Sequence, residues 1–551
     1  MIPEPPIGPE PLMSPVPALP SAVVQHCPIG AVWQPPAGFA ELCRAVLDSR
    51  LDAGTLALAP SCVAAITWRG SVVAVHTSGS PRMDGASASA RTVYRIASMS
   101  KSFLAATALS LRDAGILDLN QPASGLIDGL GNARYHLSGG ADDPVLDASL
   151  EELLSNRSGI AEDNPWGDEH LAESREWIAA QLRPGLRLGE LPGTRYQYSN
   201  LGVSQIGRAI EAFTGRPVAE SIRERILDPL GLASTRPDAS LYPRGTDIAG
   251  GFRTFDDGAT FTPEPFVGSG ALGCIGDLFS TLDDLASWMD FLGSAFDEVP
   301  DPRSEAVLAA SSRRRMQTAH TMMRTTEWPF AGRQLDGAGY GYGLICESDH
   351  RFGPVVGHSG GLPGFSSHMR WHPTTGIGVV VMANSDSFEA WRPASAILSS
   401  ILEKVAAPAA RIRPWPEVIA AARTMEDCVV SGRSLEELLA PTPDTGLLSR
   451  NVLRNVPWPV RSARLDALAE QAGPVLIPRA PLEDRILTAA TPAALRWAVP
   501  CQHRTLICDM RMVGLHAPLV QAVDVRLAGA DGRKPVGEQS LGEDHFQVLM
   551  D

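Results

Sequence analysis

The amino-acid sequence predicts an α/β (α+β) fold: an antiparallel β-sheet flanked by helices, with a mostly helical insertion and an extra strand-rich domain at the C-terminus. Strand-like hydrophobic runs occur on both sides of residues 120–335, which themselves show helical spacing and Gly/Pro-rich links. Alternating hydrophobic runs return within 410–551. Because the chain has 551 residues and an average domain has roughly 150, we expect two or three folded units.

The N-terminal elements are an extended arm, a helix and a hairpin. Residues 1–36 contain eleven prolines, which argue against regular structure and are typical of an arm that lies on a domain surface. The hydrophobic spacing over 38–49 predicts a helix. Two apolar runs follow at 61–68 and 71–77 with only an Arg-Gly pair between them, and this pattern predicts a β-hairpin.

The same periodicities predict the later elements, and a capping-box pattern at 281–284 marks the start of one helix. The predicted helices lie at 150–154, 177–182, 203–213, 285–292 and 390–405. The predicted strands lie at 341–347, 365–371, 376–383, 504–513 and 518–527.

Prolines at 408, 414 and 416 mark a domain boundary. We therefore divide the chain into the arm (1–36), a main domain (37–407) and an accessory C-terminal domain (410–551).

Composition excludes several classes of protein. The formal net charge of -15 and the pI near 5.3 oppose binding to a phosphate backbone, so we expect no nucleic-acid partner. The longest apolar run, at 377–383, is far shorter than the roughly 20 residues that span a bilayer, so we expect no membrane insertion. No Lys or Arg precedes Arg44, and the eight cysteines lack C-x-x-C spacing. Both features predict a cytoplasmic protein with reduced thiols.

Ser98 and Lys101 form the first candidate site. Only three lysines occur in the chain (Lys101, Lys404 and Lys534), and Lys101 follows Ser98 by one turn at the start of a helical pattern. A serine hydroxyl becomes a good nucleophile when a neighbouring base takes its proton, and a buried lysine can be neutral enough to do so. The alternative for this short motif is a helix-capping serine beside a solvated lysine.

Tyr198 and Asn200 form the second candidate site. Of the seven tyrosines, only Tyr198 is followed two positions later by asparagine. A phenol can relay the proton that leaves a serine, and the amide two residues later can hold a lysine or a substrate carbonyl. Taken alone, the pair would equally fit a loop with a packed aromatic ring.

A glycine-rich run at Gly357–Gly361 forms the third candidate site. It contains His358, Gly360 and Gly361 and lies between strand-like segments. Glycines let a strand edge approach a ligand closely, with backbone N–H groups available to stabilise an oxyanion.

These S-x-x-K, Y-x-N and H-x-G motifs, in this order and at these intervals, closely resemble those of the serine β-lactamase, penicillin-binding protein and class C-like esterase superfamily. The resemblance covers roughly residues 38–406. It implies a β-lactamase/transpeptidase-like fold. It also implies that Ser98 is the nucleophile, that Lys101 and Tyr198 transfer its proton, and that the N–H groups of Ser98 and Gly361 bind the oxyanion.

His358 departs from the pattern of the β-lactamases, which have lysine at that position to anchor a substrate carboxylate. A histidine near neutral charge does this less well. The resemblance therefore favours esters or short peptides over β-lactams, because D-aminopeptidases and some esterases of the superfamily have histidine here.

Two rival sites are less consistent with the sequence. Gly357–Gly361 also fits the G-x-S-x-G nucleophile elbow with Ser359 as nucleophile, but that elbow requires a helix directly afterwards and 362–371 predicts a turn and a strand. His368 and His372 have the spacing of a helical metal site, but they lie in a strand pattern. We expect no metal and no cofactor.

The sequence thus predicts a serine hydrolase that cleaves a small ester or a short peptide through an acyl-Ser98 intermediate, with carboxylesterase-type activity. A D-aminopeptidase, a DD-carboxypeptidase or a weak β-lactamase would use the same site. A binding or regulatory protein without turnover is the alternative of another class. We expect 410–551 to cover or narrow the cleft, with a stabilising or dimerising module as the alternative. The sequence does not indicate the oligomeric state.

Overall fold

The structure is a computed structural model that describes ten segments of the chain: 25–27, 33–127, 130, 133–135, 147–325, 334–408, 410–431, 434–435, 446–528 and 546–549. The chain divides into two compact units. One comprises Gly30–Ala410, and the other combines Met1–Ile29 with Arg411–Asp551.

The described strands are short at the N-terminus and in the insertion, and longer in the two main sheets. In chain order they are β1 (Gln25–Cys27), β2 (Ser61–Trp68), β3 (Ser71–Gly79), β4 (Tyr94–Arg95), β5 (Arg134–Tyr135), β6 (Arg187–Leu188), β7 (Phe252–Arg253), β8 (Thr262–Pro263), β9 (Phe279–Ser280), β10 (Thr321–Met322), β11 (Leu335–Tyr340), β12 (Ile345–Asp349), β13 (Gly353–Leu362), β14 (Phe365–His372), β15 (Ile377–Ala383), β16 (Ala410–Ile412), β17 (Ile486–Thr488), β18 (Ala494–Val499), β19 (Leu506–Val513), β20 (Leu519–Leu527) and β21 (Phe546–Leu549).

Most of the described helices precede β10, as the predicted helical insertion requires. In chain order they are α1 (Phe39–Arg50), α2 (Ala53–Leu56), α3 (Ser100–Asp113), α4 (Leu150–Leu154), α5 (Asn164–Glu169), α6 (Arg175–Leu182), α7 (Asn200–Thr214), α8 (Val218–Ile222), α9 (Asp228–Leu230), α10 (Leu282–Gly293), α11 (Pro302–Val307), α12 (Ala310–Met316), α13 (Trp391–Lys404), α14 (Pro416–Ser431), α15 (Asn451–Asn455) and α16 (Trp458–Ala472).

The unit Gly30–Ala410 is built on an eight-stranded sheet with the order β10-β11-β12-β13-β14-β15-β2-β3. All neighbouring strands in it pair antiparallel. The predicted hairpin is confirmed as β2–β3. Its Arg69 and Gly70 have φ angles of 48° and 73°, the left-handed values of a two-residue hairpin turn.

Both faces of the sheet are covered by helices, because side chains alternate between the faces of a strand. On β2, Val63 and Ala65 belong to the hydrophobic core that contains α3 and α10. Cys62, Ala64 and Ile66 belong to a second core that contains α1 and α13. A strand that is buried on both faces reads as a continuous apolar run, which explains the hydrophobic runs at 61–68 and 377–383.

The predicted strand at 341–347 is partly wrong. Residues 341–344 form the turn between β11 and β12, where Tyr340 pairs with Ile345. Gly343 has a φ of 65°, and a Cβ there would lie 2.5 Å from the carbonyl oxygen of Lys101. The turn therefore packs directly on the start of α3, and the strand β11 before it was not predicted.

The other unit contains a four-stranded antiparallel sheet with the order β17-β18-β19-β20. A buried carboxylate on α14, that of Glu426, joins this helix to the sheet. It accepts hydrogen bonds of 2.9 Å from both terminal nitrogens of Arg485 and from the indole nitrogen of Trp497. Because a buried charge is costly unless it is paired, this cluster fixes the helix on the sheet.

The expectation that 1–36 lacks regular structure is wrong for β1. This strand pairs in parallel with β21, so that Gln25 lies opposite Gln547. Prolines break strands only where they remove a needed N–H donor, and Gln25–Cys27 lies in a stretch free of proline. Trp33, also assigned to the arm, is buried in the core that contains α1.

No helix in the part of the chain that the structure describes is long and apolar enough to cross a membrane. No disulfide joins the cysteines whose side chains the structure describes, and Cys346 is the one of these that is partly exposed.

Candidate active site

Ser98 lies in a tight turn between β4 and α3. A 3-10 turn at Ala97–Met99 leads directly into the helix, and Ala97 has the left-handed φ of 47° that residues other than glycine rarely adopt. This bend places Lys101 in the first turn of α3, with its Nζ 2.9 Å from the Oγ of Ser98. No side-chain cap is present at the start of either helix, so the capping interpretation of Ser98 is not supported.

Lys101 is fully buried, and this changes its chemistry. Its Nζ donates to the carbonyl oxygen of Ile275 at 3.2 Å, which anchors the side chain beside Ser98. Burial lowers the lysine pKa from 10.5 to about 8, against the opposing effect of Asp168 and Asp163. A lysine with this pKa has a neutral fraction of about one tenth at pH 7, so it can accept a proton.

Tyr198 completes the group around Ser98. It lies just before α7, whose first turn is capped by Ser199 through a hydrogen bond from the N–H of Gly202. Tyr198 lines the same cleft as Ser98, and the Nζ of Lys101 lies 4.9 Å from the centre of the tyrosine ring. Burial raises the tyrosine pKa well above 10. The phenol is therefore neutral and can pass on a proton without existing as phenolate.

The third motif lies on β13, where the strand passes the nucleophile. β12 pairs with β13 only as far as Gly357, so no strand of the described chain pairs with that edge of the strand beyond this residue. A Cβ on Gly360 would lie 2.1 Å from the carbonyl oxygen of Ile96, so glycine is required for this approach. A Cβ on Gly361 would meet nothing within 4 Å, which leaves that position open to the cleft.

His358 is held in its neutral form. Its Nδ1 lies 2.5 Å from the carbonyl oxygen of Ser359, which can only accept, so Nδ1 carries the hydrogen. Nε2 then accepts from the hydroxyl of Tyr340 at 3.0 Å. Burial, assisted by the nearby charge of Lys101, lowers the histidine pKa to about 3. The imidazole therefore carries no positive charge at neutral pH.

The side chain of Asn200 lies against residues of α5. Its side chain is fully buried at the start of α7 and does not line the cleft. Its amide nitrogen donates to the side chains of Asp168 at 3.0 Å and Asn164 at 3.1 Å. Contact between Asn200 and a substrate carbonyl stays a prediction that this orientation does not favour.

Two carboxylates near Lys101 were not predicted. Asp163 accepts hydrogen bonds from the hydroxyl of Ser199 and from the backbone N–H groups of Asn200 and Leu201, so it fixes the start of α7. Asp168 is nearly buried on α5. The Y-x-N motif contains no acidic residue. Both carboxylates raise the Lys101 pKa, and α5 packs closely on the start of α7, a tertiary contact that the motif does not predict.

Ser98 opens into a cleft of about 520 Å³, a size that suits a small organic substrate. The predicted residues Tyr198, His358 and Gly361 line it together with Ser98. Its further lining residues, which mix apolar, charged and amide side chains, are Glu162, Asn164, Arg195, Tyr196, Gln197, Met322, Arg324, Ile345 and Ser359.

The rival sites do not have the required surroundings. Ser359 lies within β13 and its hydroxyl is 2.8 Å from Nδ1 of His368 on β14, so a strand and not a helix follows it. His372 is bound to Phe352 and Thr375. No group of His, Cys, Asp and Glu suited to a metal ion occurs among the described residues.

Comparison with known proteins identifies a family and several relatives of this chain. The protein-family model for beta-lactamase matches residues 55–398. The unguisins hydrolase ungD' of Aspergillus campestris is 27% identical over 305 residues, which are 54% of this chain and 53% of that protein. The D-alanyl-D-alanine-carboxypeptidase/endopeptidase AmpH of Escherichia coli K12 is 25% identical over 303 residues, 53% of this chain and 70% of that protein. The chain thus spans about half of the first relative and more of the second.

Among solved structures, the octameric penicillin-binding protein homologue from Pyrococcus abyssi superposes with a TM-score of 0.53 at 18% identity, over 87% of this chain and 99% of that one. This similarity concerns the fold, which is the mixed α/β architecture with a large antiparallel sheet flanked by helices. The family model covers more than half of the chain and includes all three motifs. The chain therefore belongs to the beta-lactamase family.

Proposed function

We propose that the protein is a serine hydrolase of carboxylesterase type, which cleaves a small ester or amide through an acyl-Ser98 intermediate. The observation that carries this proposal is the 2.9 Å separation of the Ser98 hydroxyl and the Lys101 amine, beside Tyr198 and at the wall of an open cleft. A nucleophile and a base within hydrogen-bonding distance are the minimum that acyl transfer requires.

In acylation, the Oγ of Ser98 forms a bond to the substrate carbonyl carbon while its proton passes to the neutral amine of Lys101. The carbonyl oxygen becomes an oxyanion, for which the N–H groups of Ser98 and Gly361 are the proposed donors. When the bond to the leaving group breaks, the Tyr198 hydroxyl donates its proton to that group and is reprotonated from Lys101. The amine is then neutral again and the acyl group is bound to Ser98.

Deacylation repeats these steps with water. The water gives one proton to the neutral Lys101 amine, and its oxygen bonds to the acyl carbon. Collapse of the second oxyanion breaks the bond to Ser98, whose oxygen regains a proton through Lys101 and Tyr198. Both halves of the reaction therefore use the same groups, and neither requires a permanent charge at His358.

The first test is covalent labelling with a fluorophosphonate probe, followed by a panel of p-nitrophenyl esters, D-amino-acid amides and nitrocefin. We expect labelling of the folded protein and faster turnover of the esters. Turnover of the amides or of nitrocefin with inert esters would favour the second candidate, a D-aminopeptidase, DD-carboxypeptidase or weak β-lactamase. Absence of labelling in folded protein would favour a binding or regulatory protein.

The neutral state of His358 predicts how the site treats a substrate carboxylate. We compare a D-alanyl-D-alanine peptide with the same peptide amidated at its C-terminus, in the wild type and in His358→Gln. Because the imidazole is uncharged, with a pKa lowered to about 3, the wild-type preference between the two peptides should be nearly the same in the variant. We expect the ratio of kcat/KM values to change by less than about threefold, which is below 1 kcal/mol.

The same ratio of kcat/KM values shows whether His358 or an arginine of the cleft recognises the substrate carboxylate. An Arg324→Gln variant is the matched control, because Arg324 lines the cleft with a permanent positive charge. A change of more than about tenfold in the His358→Gln variant would show that the imidazole does pair with the carboxylate and would contradict the assignment of a neutral ring.

The hydrophobic cores predict that the main domain folds without the C-terminal residues. The two large core clusters of this unit draw all their members from residues 33–407. We expect a shortened chain of residues 30–407 to fold and to label at Ser98. If 410–551 narrow the cleft, this chain should also hydrolyse bulky esters faster, relative to p-nitrophenyl acetate, than the full chain does. A folded shortened chain with an unchanged ester profile would leave the tail as a stabilising or dimerising module.

A further inference from the structure

A second cavity, of about 120 Å³, lies in the unit Gly30–Ala410 and shares no lining residue with the cleft of the candidate active site. Most of its wall is apolar and includes Phe266, Phe279, Phe365 and Leu362. One basic residue lines it, Arg95 on β4. Because an apolar cavity of about 150 Å³ holds benzene, this space suits a ligand of about four to six non-hydrogen atoms.

Arg95 is only 3% exposed, yet it forms no ion pair with any carboxylate of the described residues. Its Nε donates to the carbonyl oxygen of Gly276 at 3.2 Å, and its Nη1 donates to that of Val267 at 2.5 Å. Its guanidinium carbon lies 5.6 Å and 5.4 Å from the ring centres of Phe266 and Phe279. Carbonyl oxygens and ring faces orient a guanidinium but do not neutralise it, and a buried charge is costly unless it is paired.

The third nitrogen of the Arg95 side chain is available to a ligand. Its Nη2 has no hydrogen-bond partner in the part of the chain that the structure describes. A guanidinium stays protonated in proteins, so this nitrogen offers two N–H groups and the side chain offers a permanent positive charge. The cavity therefore combines a buried, unpaired cation with apolar walls.

The acidic groups that act on Arg95 are bound to other residues. Burial lowers the Arg95 pKa, and the charges of Asp277, Asp238 and Asp168, in that order, oppose this effect. Burial also raises the pKa of Asp277 to about 7, so about half of this carboxyl is uncharged at neutral pH. All three accept hydrogen bonds elsewhere: Asp277 from Ser269 at 2.6 Å, Asp238 from the N–H of Ser240 at 2.7 Å, and Asp168 from Asn200 at 3.0 Å.

One acidic residue, Glu264, lines the cavity itself. Its carboxylate lies 2.8 Å from the Nε of Arg253, with which it forms an ion pair. The negative charge of Glu264 is thus compensated by an arginine that does not line the cavity, whereas the positive charge of Arg95 has no such partner. This difference favours an anionic ligand over a cationic one.

We propose that this cavity is a binding site for a small carboxylate, whose oxygens accept hydrogen bonds from Arg95 and whose apolar end packs among the phenylalanine residues. A carboxylate supplies the negative charge and the planar pair of acceptors that a guanidinium binds best. A short apolar body fits the remaining wall. The proposal does not depend on the proposed function, because it concerns binding at a site separate from the Ser98 cleft.

The test is a titration of the full chain at neutral pH with butyrate, butyramide and butylammonium, followed by nuclear magnetic resonance of the ligand. These ligands have similar size and differ in charge. We expect butyrate to bind at least about tenfold more tightly than either of the others, the lower end of what a hydrogen bond to a charged group contributes. Inorganic phosphate, which has no apolar part, should also bind less tightly than butyrate. Equal binding of butyrate and butyramide, or tighter binding of butylammonium or phosphate, would overturn the proposal.

Three variants locate the bound carboxylate. Arg95→Gln keeps an amide donor for the Val267 carbonyl but removes the charge, so it should weaken butyrate binding at least about tenfold. Arg95→Lys keeps the charge and should lose less. Ala239→Leu fills part of the cavity and leaves Arg95 in place. It should also weaken binding, and it replaces Arg95→Gln if that variant does not fold.

Arg236→Gln is the matched control. Arg236 also donates to a carbonyl, that of Leu241 at 2.7 Å, and lies 5.2 Å from the ring centre of Tyr242, but it does not line the cavity. Arg324→Gln tests the other cleft, whose positive charge also attracts a carboxylate. Neither control should change butyrate binding. Loss of binding in folded Arg324→Gln, or unchanged binding in both folded Arg95→Gln and Ala239→Leu, would refute the assignment of this cavity.

Discussion

Replacement of Ser98 by alanine should reduce ester hydrolysis to below about one thousandth of the wild-type rate, because no other group can form the acyl intermediate. The protein should stay folded. The Ser98 hydroxyl caps neither the 3-10 turn nor α3, and its loss removes the hydrogen bond with Lys101, worth about 0.5–1.5 kcal/mol. Lys101 keeps its bond to the Ile275 carbonyl, so the buried amine is not left without a partner.

Mass spectrometry after reaction with a slow ester or a fluorophosphonate locates the nucleophile directly. The adduct should lie on the peptide that contains Ser98 and should be absent from Ser98→Ala. Ser359→Ala is the matched control, since this serine also lines the cleft and is hydrogen-bonded to a histidine. It should still form the adduct. An adduct on Ser359 in the wild type would refute the assignment of Ser98.

Hydrophobic periodicity predicted well those helices and strands whose apolar side chains pack on the protein core. The helix predicted at 203–213 lies within α7, and the strands predicted at 365–371 and 376–383 lie within one residue of β14 and β15. Their hydrophobic patterns are set by the core on which they pack. The strand predicted at 341–347 was placed too early because two glycines and a left-handed φ make a turn there, and the packing of that turn on α3 is a long-range contact.

The candidate site shows the same contrast between features that the local sequence predicts and features that depend on tertiary packing. Motif spacing suggested Ser98, Lys101 and Tyr198, and the structure brings these three together. Motif spacing could not suggest Asp168, because its effect on the Lys101 pKa depends on burial and on the packing of α5 against α7. It also could not give the orientation of Asn200, because the partners of an amide are decided by tertiary packing.

Replacement of Lys101 by alanine should lower kcat by roughly 100- to 10,000-fold, the usual contribution of proton transfer, with a smaller effect on KM. Tyr198→Phe should lower kcat for the same reason, since it removes the hydroxyl that donates to the leaving group. Wild-type kcat/KM should rise with pH through about 8, because the Lys101 amine loses its proton there and only the neutral form accepts one from Ser98.

Lys101→Arg distinguishes a base from a mere positive charge. A guanidinium stays protonated at all accessible pH values, so this variant should be nearly as inactive as Lys101→Ala. Lys404→Ala is the control for loss of a lysine, because Lys404 is exposed at the end of α13 and should be dispensable. Near-normal turnover in folded Lys101→Arg would show that the positive charge suffices. The proton of Ser98 would then have to pass to another group, for which Tyr198 is the candidate.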